Sequence, residues 1–266
     1  MKPYLQTLLH WLFGYLRLGF ALCLLALISP HLQAASLVPA TQKMMLSKGA
    51  EVPLTVFPGS SKKILLWLPS EDGLVTAEYN TAAKLAKSGI EVWLADMHAA
   101  YFLPIVPSSM QQIPAKDVAQ LIQAVQQRSG KSVYVITAGK GAALALTAAA
   151  LKGDNLRGLR GAILLSPNLY VETPEPGADA QFIPAINKNR LPVVILQPEL
   201  SPLRWRIDQL HSRLALRGTN VKVKLLPAVR DRFYYREDAL PQEVALTSTL
   251  SQLILNAYYQ LEGAQP

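Results

Sequence analysis

Side chains that could attack, move protons or hold charge cluster in this sequence just after its apolar runs. The clearest case is Tyr134-Val135-Ile136-Thr137-Ala138-Gly139-Lys140-Gly141-Ala142, which reads as a strand, a tight turn and the start of an apolar helix. Such a turn leaves the backbone N–H groups of Lys140 and Gly141 at the positive end of a helix, with a lysine charge beside them. That is a seat for a carboxylate, a phosphate or a developing oxyanion. It is not a Walker-type phosphate loop, because the spaced first glycine and the Ser/Thr after the lysine are missing. The plainer reading is that the glycines permit close helix–strand packing while Lys140 points to water.

Three more groups follow apolar runs: Ser70-Glu71-Asp72, Asp96-Met97-His98 and Ser166-Pro167-Asn168. Glu71, Asp72 and Asp96 could act as acids or bases, although loop carboxylates usually cap helices or sit solvated in turns. No tight ligand spacing joins the aspartates to His98, so neither a metal nor another cofactor is expected. His98 and His211 read as half-exposed surface histidines. The last third is basic, and Arg230-Asp231-Arg232-Phe233-Tyr234-Tyr235-Arg236 interleaves arginines with aromatics. Arg230, Arg232 and Arg236 could meet an anionic surface, whereas a solvated helix face with an ion-paired loop is the plain alternative.

Regular elements must position these groups. Lys43 to Ser47 and Glu51 to Phe57 look like two antiparallel strands joined at Lys48-Gly49. Lys63 to Leu68 is a continuous apolar run, as in a strand covered on both faces. A helix over Ala77 to Lys87 is capped by Thr76, and Ile90 to Ala95 is the next strand. Val118, Leu121, Ile122 and Val125 share one helical face. Strands follow at Ser132 to Thr137, Leu159 to Leu165, Pro192 to Leu196 and Val221 to Leu226. Between them lie the helix Ala142 to Leu151, a proline-rich insert at Pro167 to Arg190, and a helix opened by Ser201-Pro202. Leu246, Leu250, Leu253, Ile254 and Ala257 mark one closing helix. Strands alternating with helices argue for a mostly parallel eight-stranded sheet with helices on both faces, an α/β fold.

The first thirty-odd residues stand apart. Lys2 and Arg17 are their only charged residues, and a twelve-residue apolar run from Leu18 to Ser29 precedes Pro30 and Leu32-Gln33-Ala34-Ala35. This is the pattern of a cleavable signal peptide over residues 1–34, which implies a periplasmic or secreted protein. An uncleaved membrane anchor is the alternative. Residues 35–266 then form one domain, with 167–190 as a short insert or lid. Cys23 leaves with the leader, so the mature chain has no disulfide and no thiol nucleophile. Without Lys2 and Arg17, 24 basic residues face 18 acidic ones, a net charge of +6. For an exported chain that surplus suits lipid headgroups, anionic polymers or an acidic partner better than nucleic acid.

The element order, with Leu191-Pro192-Val193-Val194-Ile195-Leu196 and Leu225-Leu226-Pro227 closing its last strands, resembles the α/β-hydrolase fold over roughly Thr41 to Gln260. The resemblance implies a nucleophile elbow at the Thr137–Gly141 turn, an acid after the seventh strand and a histidine after the eighth. Gly139 stands at the nucleophile's place, Ser201 at the acid's and Asp231 near the histidine's. No histidine follows His211. The implied reading is a branch without the Ser-Asp-His triad that binds a small molecule or protein partner. Its candidate ligand residues are Lys140, Gly141, Ser70, Asp72, Asp96 and Ser166. The alternative is an active esterase or peptidase with a displaced nucleophile at Ser70, Ser166 or Thr137.

Overall fold

Alternating strand and helix periods are what the chain builds in the computed structural model, which describes residues 38–263 apart from 153–155, 157 and 176. The leader expected over 1–34 lies outside the described residues. The strands are β1 (Ala40–Met45), β2 (Glu51–Phe57), β3 (Lys63–Trp67), β4 (Glu91–Ala95), β5 (Ser132–Ala138), β6 (Leu159–Leu165), β7 (Val193–Pro198) and β8 (Val221–Leu226). They form one sheet in the order β1-β2-β4-β3-β5-β6-β7-β8. β2 is antiparallel to both β1 and β4, and every other neighbour is parallel. The helices are α1 (Thr76–Lys87), α2 (Met97–Ala100), α3 (Ala115–Ser129), α4 (Gly141–Lys152), α5 (Ile207–Ala215), α6 (Pro241–Ser248) and α7 (Leu250–Glu262).

After Lys63 the run at β3 is apolar at every position because both faces are covered. Ile64, Leu66 and Leu68 join the core that includes Val118, Leu121 and Ile122 of α3. Leu65 and Trp67 point the other way, into the core that holds Leu85 of α1 and Ile254 of α7. Each such side chain, fully buried, contributes about 1.5–3 kcal/mol. A third core lies between β6, β7 and α5, where Ile207, Leu210 and Leu214 meet Leu164 and Ile195. Leu169, Ala185 and Ile186 of the insert pack into this third core.

Three sequence expectations shift. β1 begins at Ala40 and ends at Met45, earlier than the periodicity suggested. Thr76 is the first residue of α1 and not its cap, because the Glu78 carboxylate turns back to accept the Val75 N–H at 3.1 Å. The closing helix divides at Thr249. There the hydroxyls of Thr247, Ser248 and Thr249 all donate to preceding carbonyls and compete with the helical ladder. At the sheet edge β8 turns Lys222 and Lys224 to solvent, which blocks pairing with another strand and accounts for part of the basic last third. Among the described residues no helix is long and apolar enough to cross a membrane.

Candidate functional site

Loops leaving the carboxyl ends of the parallel strands enclose a pocket of about 320 Å3. Ser70, Glu71 and Asp72 enter it from β3, Gly139 from β5, Ser166 and Asn168 from β6, and Asp231 to Arg236 from beyond β8. This is the edge where open α/β sheets hold ligands.

The β5–α4 turn forces two glycines. Gly139 holds φ at +51°, in the left-handed region. A Cβ on Gly139 would overlap the Glu71 carboxylate, and one on Gly141 would overlap Thr137 Oγ1 and the Pro69 carbonyl. Glu71 therefore fills the space above Gly139 where another residue would carry its side chain. It is 8% exposed, and its Oε2 accepts the Lys140 N–H at 2.6 Å. The anion seat expected at this corner thus holds a carboxylate from the chain itself. Gly141 packs under the turn, and the Lys140 side chain faces a neighbouring groove instead of the pocket.

The other polar groups of the pocket are also paired internally. Arg232 Nε lies 2.9 Å from Asp72 Oδ2, and its Nη2 lies 3.6 Å from Glu71 Oε1. Tyr235 donates its hydroxyl to Asp72 at 2.6 Å, and burial, then this bond, pushes the phenol's pKa up. The Ser70 hydroxyl accepts the Asp72 N–H at 3.1 Å. Ser166 sits at φ +44°, and its hydroxyl donates to Asp231 Oδ1. Arg236 is held by Asp238 on one side and donates to the Asp231 carbonyl on the other.

Two glutamates support the pocket from behind. Glu78 is buried beneath Tyr234, whose hydroxyl donates to it at 3.2 Å, and burial raises its pKa to about 7. Glu243 is also buried, but Arg230 grips it with Nε at 2.8 Å and Nη2 at 2.6 Å. The hydrogen bonds from Arg230 hold its pKa down to about 2.

Of the sequence candidates, Ser70, Asp72, Gly139, Ser166 and Asp231 converge on one pocket. Ser201 does not line it; buried, it accepts the Leu203 N–H at 3.0 Å and caps a short turn. Asp96 caps α2 through the Ala99 N–H and also lies outside the lining. Thr137 is fully buried against the Pro69 carbonyl. Arg230, Arg232 and Arg236 are all paired with carboxylates, as the ion-paired alternative has them. His211 is half-buried, with Nε2 at 3.2 Å from the Val221 carbonyl. His98 departs from the half-exposed expectation. It is 3% exposed, neither ring nitrogen has a hydrogen-bond partner among the described residues, and burial lowers its pKa.

Among the described residues lining the pocket there is no histidine. No group of residues that could hold a metal ion occurs among the described residues. Glu78 was absent from the sequence candidates, and Glu71, named there only as a possible acid or base, gave no sign that it would fill the corner over Gly139.

No protein-family model matches the chain, and no curated protein matches it in sequence. Solved structures do match in fold. One esterase aligns at a TM-score of 0.65 and 14% identity, over 87% of this chain and 82% of its own. Brefeldin A esterase, a bacterial homologue of human hormone-sensitive lipase, aligns at 0.59 and 17% identity, over 81% of this chain and 76% of its own. Esterase LipW from Mycobacterium marinum aligns at 0.59 and 15% identity, over 85% and 84%.

Proposed function

The chain has the α/β-hydrolase fold, and on that premise we propose that it works by binding a small molecule or a partner at the pocket, without triad-based hydrolysis. One observation carries the reading: the Glu71 carboxylate occupies the space over Gly139 and holds the Lys140 N–H. In an acyl-transfer site that N–H stabilises a developing oxyanion. Here it already bonds an anion, and no side chain at Gly139 can attack. Asp231 in the pocket, with no histidine among the described lining residues, agrees with it.

The occupied corner also bears on ligand charge. An anionic ligand would have to displace Glu71 from both Lys140 and Arg232, so the pocket favours ligands that exchange hydrogen bonds with Asp231, Asp72 and Asn168. The leader pattern at 1–34 leads us to propose export as well, tested by mass spectrometry of the mature amino terminus.

The displaced-nucleophile reading retains one supporting observation, the Ser166–Asp231 hydrogen bond beside a backbone in the left-handed region. Serine needs a base near its own working range, and a carboxylate is a weaker base at neutral pH than imidazole. Ser70 and Thr137 are both buried and bonded within the chain. A fluorophosphonate probe with a panel of short esters separates the readings. No labelling and no turnover above background are expected. Stoichiometric labelling of one serine, lost in Ser166→Ala, sinks the binding reading.

A further inference from the structure

Beside the pocket, on the far side of Asn168, runs a second and larger concavity of about 880 Å3. Its walls are α4, the segment from Met110 to Ala115 and the insert after β6. Lys140, just before α4, and Ala143, Leu144 and Thr147 on it line the groove at spacings of three and four; Ala143 and Thr147 are half-buried, and Leu144 is buried behind them. That stripe is about 10 Å long, the span of an alkyl chain of roughly eight to ten carbons. Ile113 and Pro114 line the groove on one side, and Ile183 and Pro184 on the other.

The lining is mixed, with Gln111, Asn168, Tyr170 and Thr173 as neutral polar groups beside the apolar ones, and it carries only two charges. Lys140 stands at one end of the stripe, half-buried, and enters none of the ion pairs among the described residues. The one carboxylate in the lining, Glu172, is exposed on the insert and forms no ion pair with it. A groove with apolar walls at Ile113, Pro114, Ala143, Ile183 and Pro184, and with one ammonium outside every ion pair among the described residues, has a definite complement. We propose that this groove binds a medium-chain carboxylate, its alkyl chain along Ala143, Leu144 and Thr147 and its head against the Lys140 ammonium. The site is separate from the pocket over Gly139 and does not depend on whether that pocket is catalytic.

Isothermal titration of the intact protein with decanoate, decanol and decylammonium tests the assignment. Decanoate is expected to bind at one site and more tightly than decanol, with decylammonium weakest. Lys140→Gln should erase the advantage of decanoate over decanol, a loss of about fivefold for a partly exposed ion pair. Ala143→Phe, which fills the channel, should weaken both by at least about tenfold. Thr147→Phe fills the same channel one turn further along and serves if Ala143→Phe does not fold. The proposal is overturned if decanoate and decylammonium bind alike, if folded channel-filling variants bind decanoate as the parent does, or if no decanoate binds. Ala143→Phe and Thr147→Phe alter no residue of the Gly139 pocket, so the serine-probe result stands independently of them.

Discussion

Glu78 and Glu243 occupy the same local position at the starts of two different helices, yet they are held in opposite ways. Each lies in the first turn of its helix, and each turns back to accept the backbone N–H three residues earlier, from Val75 and Leu240. Both are buried, at 1% and 0% exposure. Burial alone raises a carboxyl pKa, and at Glu78, met only by the Tyr234 hydroxyl and the Val75 N–H, it reaches about 7. At Glu243 the forked hydrogen bonds from Arg230 overcome burial and bring it to about 2. The difference teaches that exclusion from solvent does not by itself set the charge of a carboxyl: Glu243 faces a guanidinium that reaches the surface, and Glu78 faces a buried phenol.

Removing the charged member should cost most. Glu243→Ala leaves Arg230 Nε and the backbone N–H groups of Arg230 and Leu240 without their acceptor while Asp238 still holds the far end of the guanidinium, and a loss of about 3 kcal/mol in urea unfolding is expected. A loss below about 1 kcal/mol would show the latch to be ornamental and break the comparison.

The next largest effect is a pH dependence of opposite sign at the two sites. Glu78, raised above its free value of 4.5, contributes stability in full below pH 4.5 and loses it as pH rises through about 7. Glu243, lowered from 4.5, contributes in full above pH 4.5 and loses it as pH falls through about 2. Between pH 4.5 and 7, therefore, Glu78 alone of this pair should erode stability, by about 2 kcal/mol. Unfolding curves across that range should show the slope in the parent and lose it in Glu78→Gln. An identical slope in both proteins would refute the assignment.

Tyr234→Phe sharpens the same contrast. Its hydroxyl favours the ionised form of Glu78, so the variant should lose about 1 kcal/mol near neutral pH and shift the inflection upward, read from infrared carboxyl bands. The smallest effect belongs to Arg232, which shares a loop with Arg230 but is 48% exposed in its side chain. Arg232→Gln should change stability by less than about 1 kcal/mol in thermal unfolding, because exposed ion pairs are screened.

Much of this architecture was legible in the sequence. The apolar run of β3, the period of α3 and the glycine turn at Gly139 each report a local rule, and local rules survive without coordinates. Gly139 and Asp231 were placed on a common pocket because strand order fixes which loops share an edge. Ser201 was read in two ways, and as a cap it matched a rule that acts over two residues. What stayed hidden depends on side chains meeting across the chain. Glu71 reaches Lys140 over 69 positions, and Tyr235 reaches Asp72 over 163. No periodicity encodes such rotamers. His98 was misjudged for a related reason: it lies on a four-residue helix, too short to display a buried face in its pattern.

The Glu71 side chain also constrains how this corner could change over time. A serine at position 139 would bring its Cβ and hydroxyl into the volume that Glu71 fills. Restoring a nucleophile by one substitution is therefore met by a collision, and position 71 must shrink or swing away first. The constraint runs one way: Gly139 admits any residue at position 71, but a side chain at 139 is admitted only once Glu71 has given way, so the two changes have a fixed order.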